Sequence, residues 1–74
     1  MQNVYVEPQP PSRPEGSPIT HYKLEYEHGA SVDGVSHPTQ AAAISAARRL
    51  GHHPLIARVR HTSKGNRDHW RSAP

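Results

Sequence analysis

Thr39-Gln40-Ala41-Ala42-Ala43-Ile44-Ser45-Ala46-Ala47-Arg48-Arg49-Leu50-Gly51 is the stretch on which the fold turns. Five alanines between Gln40 and Leu50 supply the best helix-forming residue. Ala43, Ile44, Ala47 and Leu50 recur at helical spacing and make one apolar stripe. Thr39, after Pro38, has the chemistry of an N-cap. Arg48 and Arg49 fall in the last turn, where cations suit the negative end of the helix dipole. Gly51 fits the left-handed position past a helix end, and Pro54 prevents continuation. The prediction is a helix of about three turns over 40–50.

The flanking segments alternate instead. From Ile19 to Glu27, Tyr22, Leu24 and Tyr26 share one face, while His21, Lys23, Glu25 and Glu27 share the other, the pattern of a half-buried strand. His28-Gly29 supplies a turn and Ala30 to Val35 a returning strand, bulged or broken at Asp33-Gly34. Beyond the helix, Leu55, Ala57 and Val59 alternate with Arg58, Arg60 and Thr62. Ser63-Lys64-Gly65-Asn66 reads as a turn and Arg67 to Arg71 as a last short strand with Trp70 inward. Hairpin, helix, hairpin implies an α+β fold: an antiparallel sheet of three or four strands in ββαββ order, with the helix on one face. The expected core is the tyrosines, Leu24, Val32, Ile44, Leu50, Leu55, Val59 and Trp70.

The first eighteen residues read differently. They hold five of the eight prolines, so 1–18 is expected to be a flexible Pro-rich tail and 19–74 a single small domain. Val4-Tyr5-Val6 is a β-prone patch within that tail, suited to joining a sheet edge in its own chain or a partner. Pro11 and Pro14 with Arg13 have the spacing of a polyproline ligand, although a plain linker explains them as well. A domain of about 55 residues with little apolar mass lies near the lower limit of independent stability. No cysteine is present to add a disulfide. A second copy of the chain is the expected source of the missing stability, because two-fold dimers are the commonest soluble oligomers.

Charge is sorted along the chain. From Arg48 onward there are seven bases and one acid; before it there are two bases and five acids. The split implies a polyanionic partner, or two halves that neutralise each other. The first alternative makes Arg58, Arg60, Lys64, Arg67 and Arg71 phosphate contacts, extended by Arg48 and Arg49 from the helix end. The second pairs Arg58 and Arg60 with Glu25 and Glu27 across strands. Single-strand binders also need exposed rings for base stacking, and the few aromatic residues here occupy positions expected to be buried.

Seven histidines stand out: His21, His28, His37, His52, His53, His61 and His69. They match neither HExxH nor finger spacing, so no metal site and no cofactor is expected. His61 and His69 flank the Ser63–Asn66 turn and are the nearest approach to a ligand pair. Surface histidines at such density would make charge and association sensitive to pH. The serines lack a recognisable elbow or a base at motif spacing, there is no Gly-rich phosphate loop, and a pocket for a small-molecule substrate is hard to build at this size. The expectation is therefore not an enzyme. Gly51-His52-His53 ahead of a basic segment resembles, over a few residues, the Gly-Ser-His stretch of small RNA-cleaving toxins with a double-stranded-RNA-binding-like fold. The serine is replaced and Pro54 interrupts, so no role is carried over.

No run of about 20 apolar residues is present to span a membrane, and the start of the chain lacks the charge and apolar stretch of a secretory signal. Absence of cysteine fits a reducing cytoplasm. Together these features imply a non-enzymatic cytoplasmic module that binds nucleic acid through its basic C-terminal half. The alternative is a protein-interaction module, acting as a homodimer or through a sheet edge.

Overall fold

The computed structural model describes residues 2–10, 16–57, 64 and 67–74, with Arg67 as backbone alone. Five strands form one mixed sheet in the order β3-β2-β1-β4-β5, crossed by one helix. They are β1 (Asn3–Gln9), β2 (His21–Glu25), β3 (Ser31–His37), α1 (Gln40–Arg49), β4 (His53–Ala57) and β5 (Trp70–Ser72). A single 3-10 turn, Arg67–His69, leads into β5. The α+β class and the helix on one face agree with the sequence pattern.

The expectation of a tail over 1–18 is overturned for its first half: Asn3–Gln9 is the central strand. β1 runs antiparallel to β2, with Tyr5 opposite Glu25 and Val6 opposite Leu24. On its other edge it runs parallel to β4, with Val4 opposite Pro54 and Val6 opposite Ile56. Val4 and Val6 are completely buried on the helix side, and Tyr5 is buried on the other. A proline at position 8 suggests a strand excluded from a sheet interior. The ladder to β4 ends at Val6, however, and Pro8 lies beyond it, opposite Tyr22 of β2 alone. Residues 11–15, with the polyproline pattern, lie outside the described residues.

The helix follows its sequence signals closely. Thr39 has an extended backbone, and its hydroxyl accepts from the Ala42 amide at 3.1 Å. At the other end, the His52 amide donates to the Ala47 carbonyl at 2.9 Å and the Gly51 amide to Arg48 at 3.0 Å. That is the double bond pattern of a Schellman terminus, with Gly51 at φ +80°.

Ala43, Ala46 and Ala47 pack on Val4, Val6, Leu24 and Ile56, with Tyr22, Tyr26, Val32 and Ile44 at the margin. Small side chains on the helix let it lie close to the sheet. The buried stripe is rotated from the expected one: Ala46 is inside and Leu50 is 52% exposed, because the chain turns away at Gly51.

Two further expectations are corrected, and a third is narrowed to one of its alternatives. In β4 the faces are reversed: Pro54 and Ile56 are buried and Leu55 is only half-buried. Two apolar residues in succession at 55–56 leave the phase of that strand undetermined by pattern. The last strand begins at Trp70, because Arg67–His69 make a helical turn. Of the alternatives for the second strand of the first hairpin (short, bulged or broken at Gly34), the structure has the irregular one: the register shifts opposite Lys23 and Glu25, and β3 runs on to His37. Residues 58–62, which the sequence pattern assigns to the same strand as β4, lie outside the described residues.

Candidate functional site

Alternation along the strands sets the composition of the face opposite the helix. It places Asn3, Tyr5 and Glu7 of β1 beside Lys23 and Glu25 of β2 and His53 and Leu55 of β4. Lys64 returns to this face. Its ammonium donates to a Glu7 carboxylate oxygen at 2.5 Å and a Glu25 oxygen at 2.8 Å. The Lys64 carbonyl accepts from the Tyr5 hydroxyl at 3.3 Å, and the ammonium lies 5.9 Å from the Tyr5 ring centre. Burial works against the Lys64 charge, but the hydrogen bonds to Glu25 and Glu7 outweigh it and hold the pKa above the ordinary lysine value.

Lys64 is thus withdrawn as a phosphate contact: two carboxylates already occupy it. The charge split of the sequence is in part self-neutralising, and Glu7, assigned by sequence to a tail, is one of the neutralising groups. Glu25 is engaged by Lys64; Arg58 and Arg60 lie outside the described residues. Glu27 is exposed at the β2–β3 turn.

The other basic residues lie elsewhere. Arg71 is exposed on β5 and pairs in register with Ile56, a residue of the helix side. Arg48 reaches the same end of the molecule, donating to the main-chain oxygens of Ala73, at 3.2 Å, and of Pro74. Arg49 is exposed beside it. The backbone of Arg67 is in the turn before β5. Among the described residues the expected patch is divided: Lys64 lies on the face opposite the helix, in a cleft whose wall Arg71 reaches from β5, while Arg48 and Arg49 lie toward the helix end.

A shallow cleft of about 310 Å³ lies beside Lys64, with Asn3, Tyr5, His53, Leu55, Trp70 and Ser72 in its wall. Tyr5 and Trp70 meet edge to face at 4.7 Å between centres, so the second face carries a small aromatic core. His53 Nε2 lies 2.8 Å from Ser72 Oγ. A hydroxyl beside an imidazole is the beginning of a nucleophile–base pair, which also needs a group to orient the ring and donors for an oxyanion. The two residues are nineteen positions apart, and the β4–β5 pairing unites them.

The histidines occupy separate places. His37 is buried, with Nε2 2.8 Å from Asp33 Oδ2. His28 stacks parallel to Tyr26 at 5.7 Å, and His52 meets the same ring edge-on at 5.8 Å. Among the described residues no three His, Cys, Asp or Glu side chains gather in a metal-binding group. His61, half of the expected pair with His69, lies outside those residues. No described helix is long and apolar enough to cross a membrane.

No family model matches the chain, and no curated protein or solved structure is significantly similar to it.

Proposed function

We propose that the protein is a small, non-enzymatic cytoplasmic module that binds nucleic acid through its arginines. The observation that carries this reading is the unequal use of charge. Among the described residues, Glu7 and Glu25 are engaged by Lys64 and Asp33 by His37. Arg48, Arg49 and Arg71 are exposed and have no aspartate or glutamate partner there. An arginine surplus left without acidic side chains beside it attracts phosphates and gives affinity that falls steeply with salt. Arg58, Arg60 and Arg67 belong to the same segment of sequence and add to the same field.

The rival reading, self-association through a sheet edge, has obstacles at both edges. At the β3 edge the Gly34 amide is taken by the Ser31 hydroxyl at 2.7 Å and the Val35 amide by Asp33 at 3.1 Å. β5 has three residues. Short and self-bonded edges are poor templates for a further strand.

Fluorescence anisotropy with labelled duplex and single-stranded oligonucleotides tests the proposal. Binding at about 50 mM salt should weaken by an order of magnitude or more at about 200 mM. Replacing Arg49 and Arg71 by alanine should lower the slope of log K against log salt by about one for each phosphate that is no longer neutralised. No binding to either strand form at low salt refutes the proposal. Light scattering that shows a dimer with no nucleic-acid affinity favours the rival.

A further inference from the structure

The Tyr26 cluster lies at the arginine-bearing end of the helix. Tyr26 closes β2, and its amide donates to the Ala30 carbonyl at 2.9 Å while its own carbonyl accepts from Gly29 at 2.9 Å. These two bonds hold Glu27 and His28 in a tight turn, with Gly29 at φ +95°. His28 is exposed, and its ring is within 5° of parallel to the half-buried Tyr26 ring. The opposite constraint comes from the helix terminus. The Schellman bonds fold His52 back on the last helical turn, three residues after Arg49, and its ring meets Tyr26 at 85°. Leu50, more than half exposed, lies in the same terminus. Three rings are thus joined by two rigid connections, one a β-turn and the other a helix cap, and Arg49 lies in the last turn of that helix.

We infer that His28, Tyr26 and His52, with the exposed Arg49 three residues before His52, form a stacking platform for a base of single-stranded nucleic acid. The inference rests on the nucleic-acid reading above and adds the strand form and the site. An exposed planar ring backed by a second parallel ring offers a π-face to any base, and a guanidinium group at the helix end is suited to a neighbouring phosphate. A duplex keeps its bases stacked on one another and has no free face to offer. Glu27, in the same turn, is the carboxylate that opposes the phosphates.

The test compares a labelled thymidine strand of about 20 nucleotides with a duplex of equal phosphate number, using variants shown by circular dichroism to be folded. Wild type should favour the single strand. His28→Ala and His52→Ala should each lose about five- to tenfold in single-strand affinity, and change duplex affinity less than about twofold. His28→Trp should tighten the single strand several-fold, a gain that a purely structural histidine would not give. Glu27→Gln should tighten both forms by a similar factor. If oligonucleotides bind and the histidine variants leave single-strand affinity unchanged, or change both forms alike, the platform is wrong and the arginine reading stands. If neither form binds, both are wrong.

Discussion

On the helix side the sheet buries Val4, Val6, Leu24 and Ile56 beneath three alanines, whereas on the other side Tyr5 and Trp70 meet under an ammonium held by two carboxylates. The first face is closed mainly by apolar packing, with the His37–Asp33 pair at its β3 edge. The second depends on charge, and its key residue comes from a segment 57 positions away from its Glu7 partner. Close packing gives stability that is indifferent to pH and salt. An ion triplet gives stability that depends on both. The same five strands therefore answer to two different sets of solution conditions.

Deleting residues 1–9 attacks both faces together, since β1 contributes buried residues to each. The expected outcome is loss of any cooperative thermal transition by circular dichroism. A folded remainder would make the two faces separable from their shared strand. Leu24→Ala breaks the helix face alone and should cost about 2–5 kcal/mol in chemical denaturation, by the same amount at low and high salt. Lys64→Met breaks the charged face and leaves Glu7 and Glu25 facing each other. Its cost should be about 1–3 kcal/mol, between that of exposed and buried pairs, and should shrink as salt is raised.

The pH dependence of the charged face has a definite sign. The pKa of Lys64 is raised in the fold, so its contribution is complete below the unfolded lysine value of 10.5 and is lost as pH climbs through the higher folded value. Melting temperatures of wild type and Lys64→Met should converge above that window and stay apart below it. Tyr5→Phe is the smallest perturbation: it removes the hydroxyl that bonds the Lys64 carbonyl and should cost about 0.5–1.5 kcal/mol. An effect as large as that of Lys64→Met would mean that the carbonyl, more than the ammonium, fixes this segment.

The extent and caps of the helix are legible because their signals are local: alanine content, the Thr39 cap and Gly51 all act within one turn; its buried stripe, set by the sheet, is not. β1 is not legible either, because the prolines are visible from sequence alone while the partners that make Val4 and Val6 central come from two distant strands. The phase of β4 was lost at a Leu55–Ile56 pair, where either residue suits the core. The site divides in the same way. An excess of arginine is a count, and counts survive folding. That Lys64 is consumed by Glu7, or that His52 reaches the Tyr26 ring, depends on long-range return of the chain. The histidines are conspicuous as a number, yet the meeting of His28 and His52 at one tyrosine needs the helix terminus and a β-turn to come together.

The parallel pairing of β1 with β4 also fixes an order of events. On a growing chain, β1 can join β2 and β3 in a meander as soon as His37, the last residue of β3, has emerged. One edge of β1 then stays without a partner until His53–Ile56 arrive behind the helix. Closure over so long a separation is slow relative to local steps. Until it happens, the most deeply buried strand of the finished protein presents a bare row of amides and carbonyls, and any chaperone or like chain that recognises such an edge has this interval in which to act.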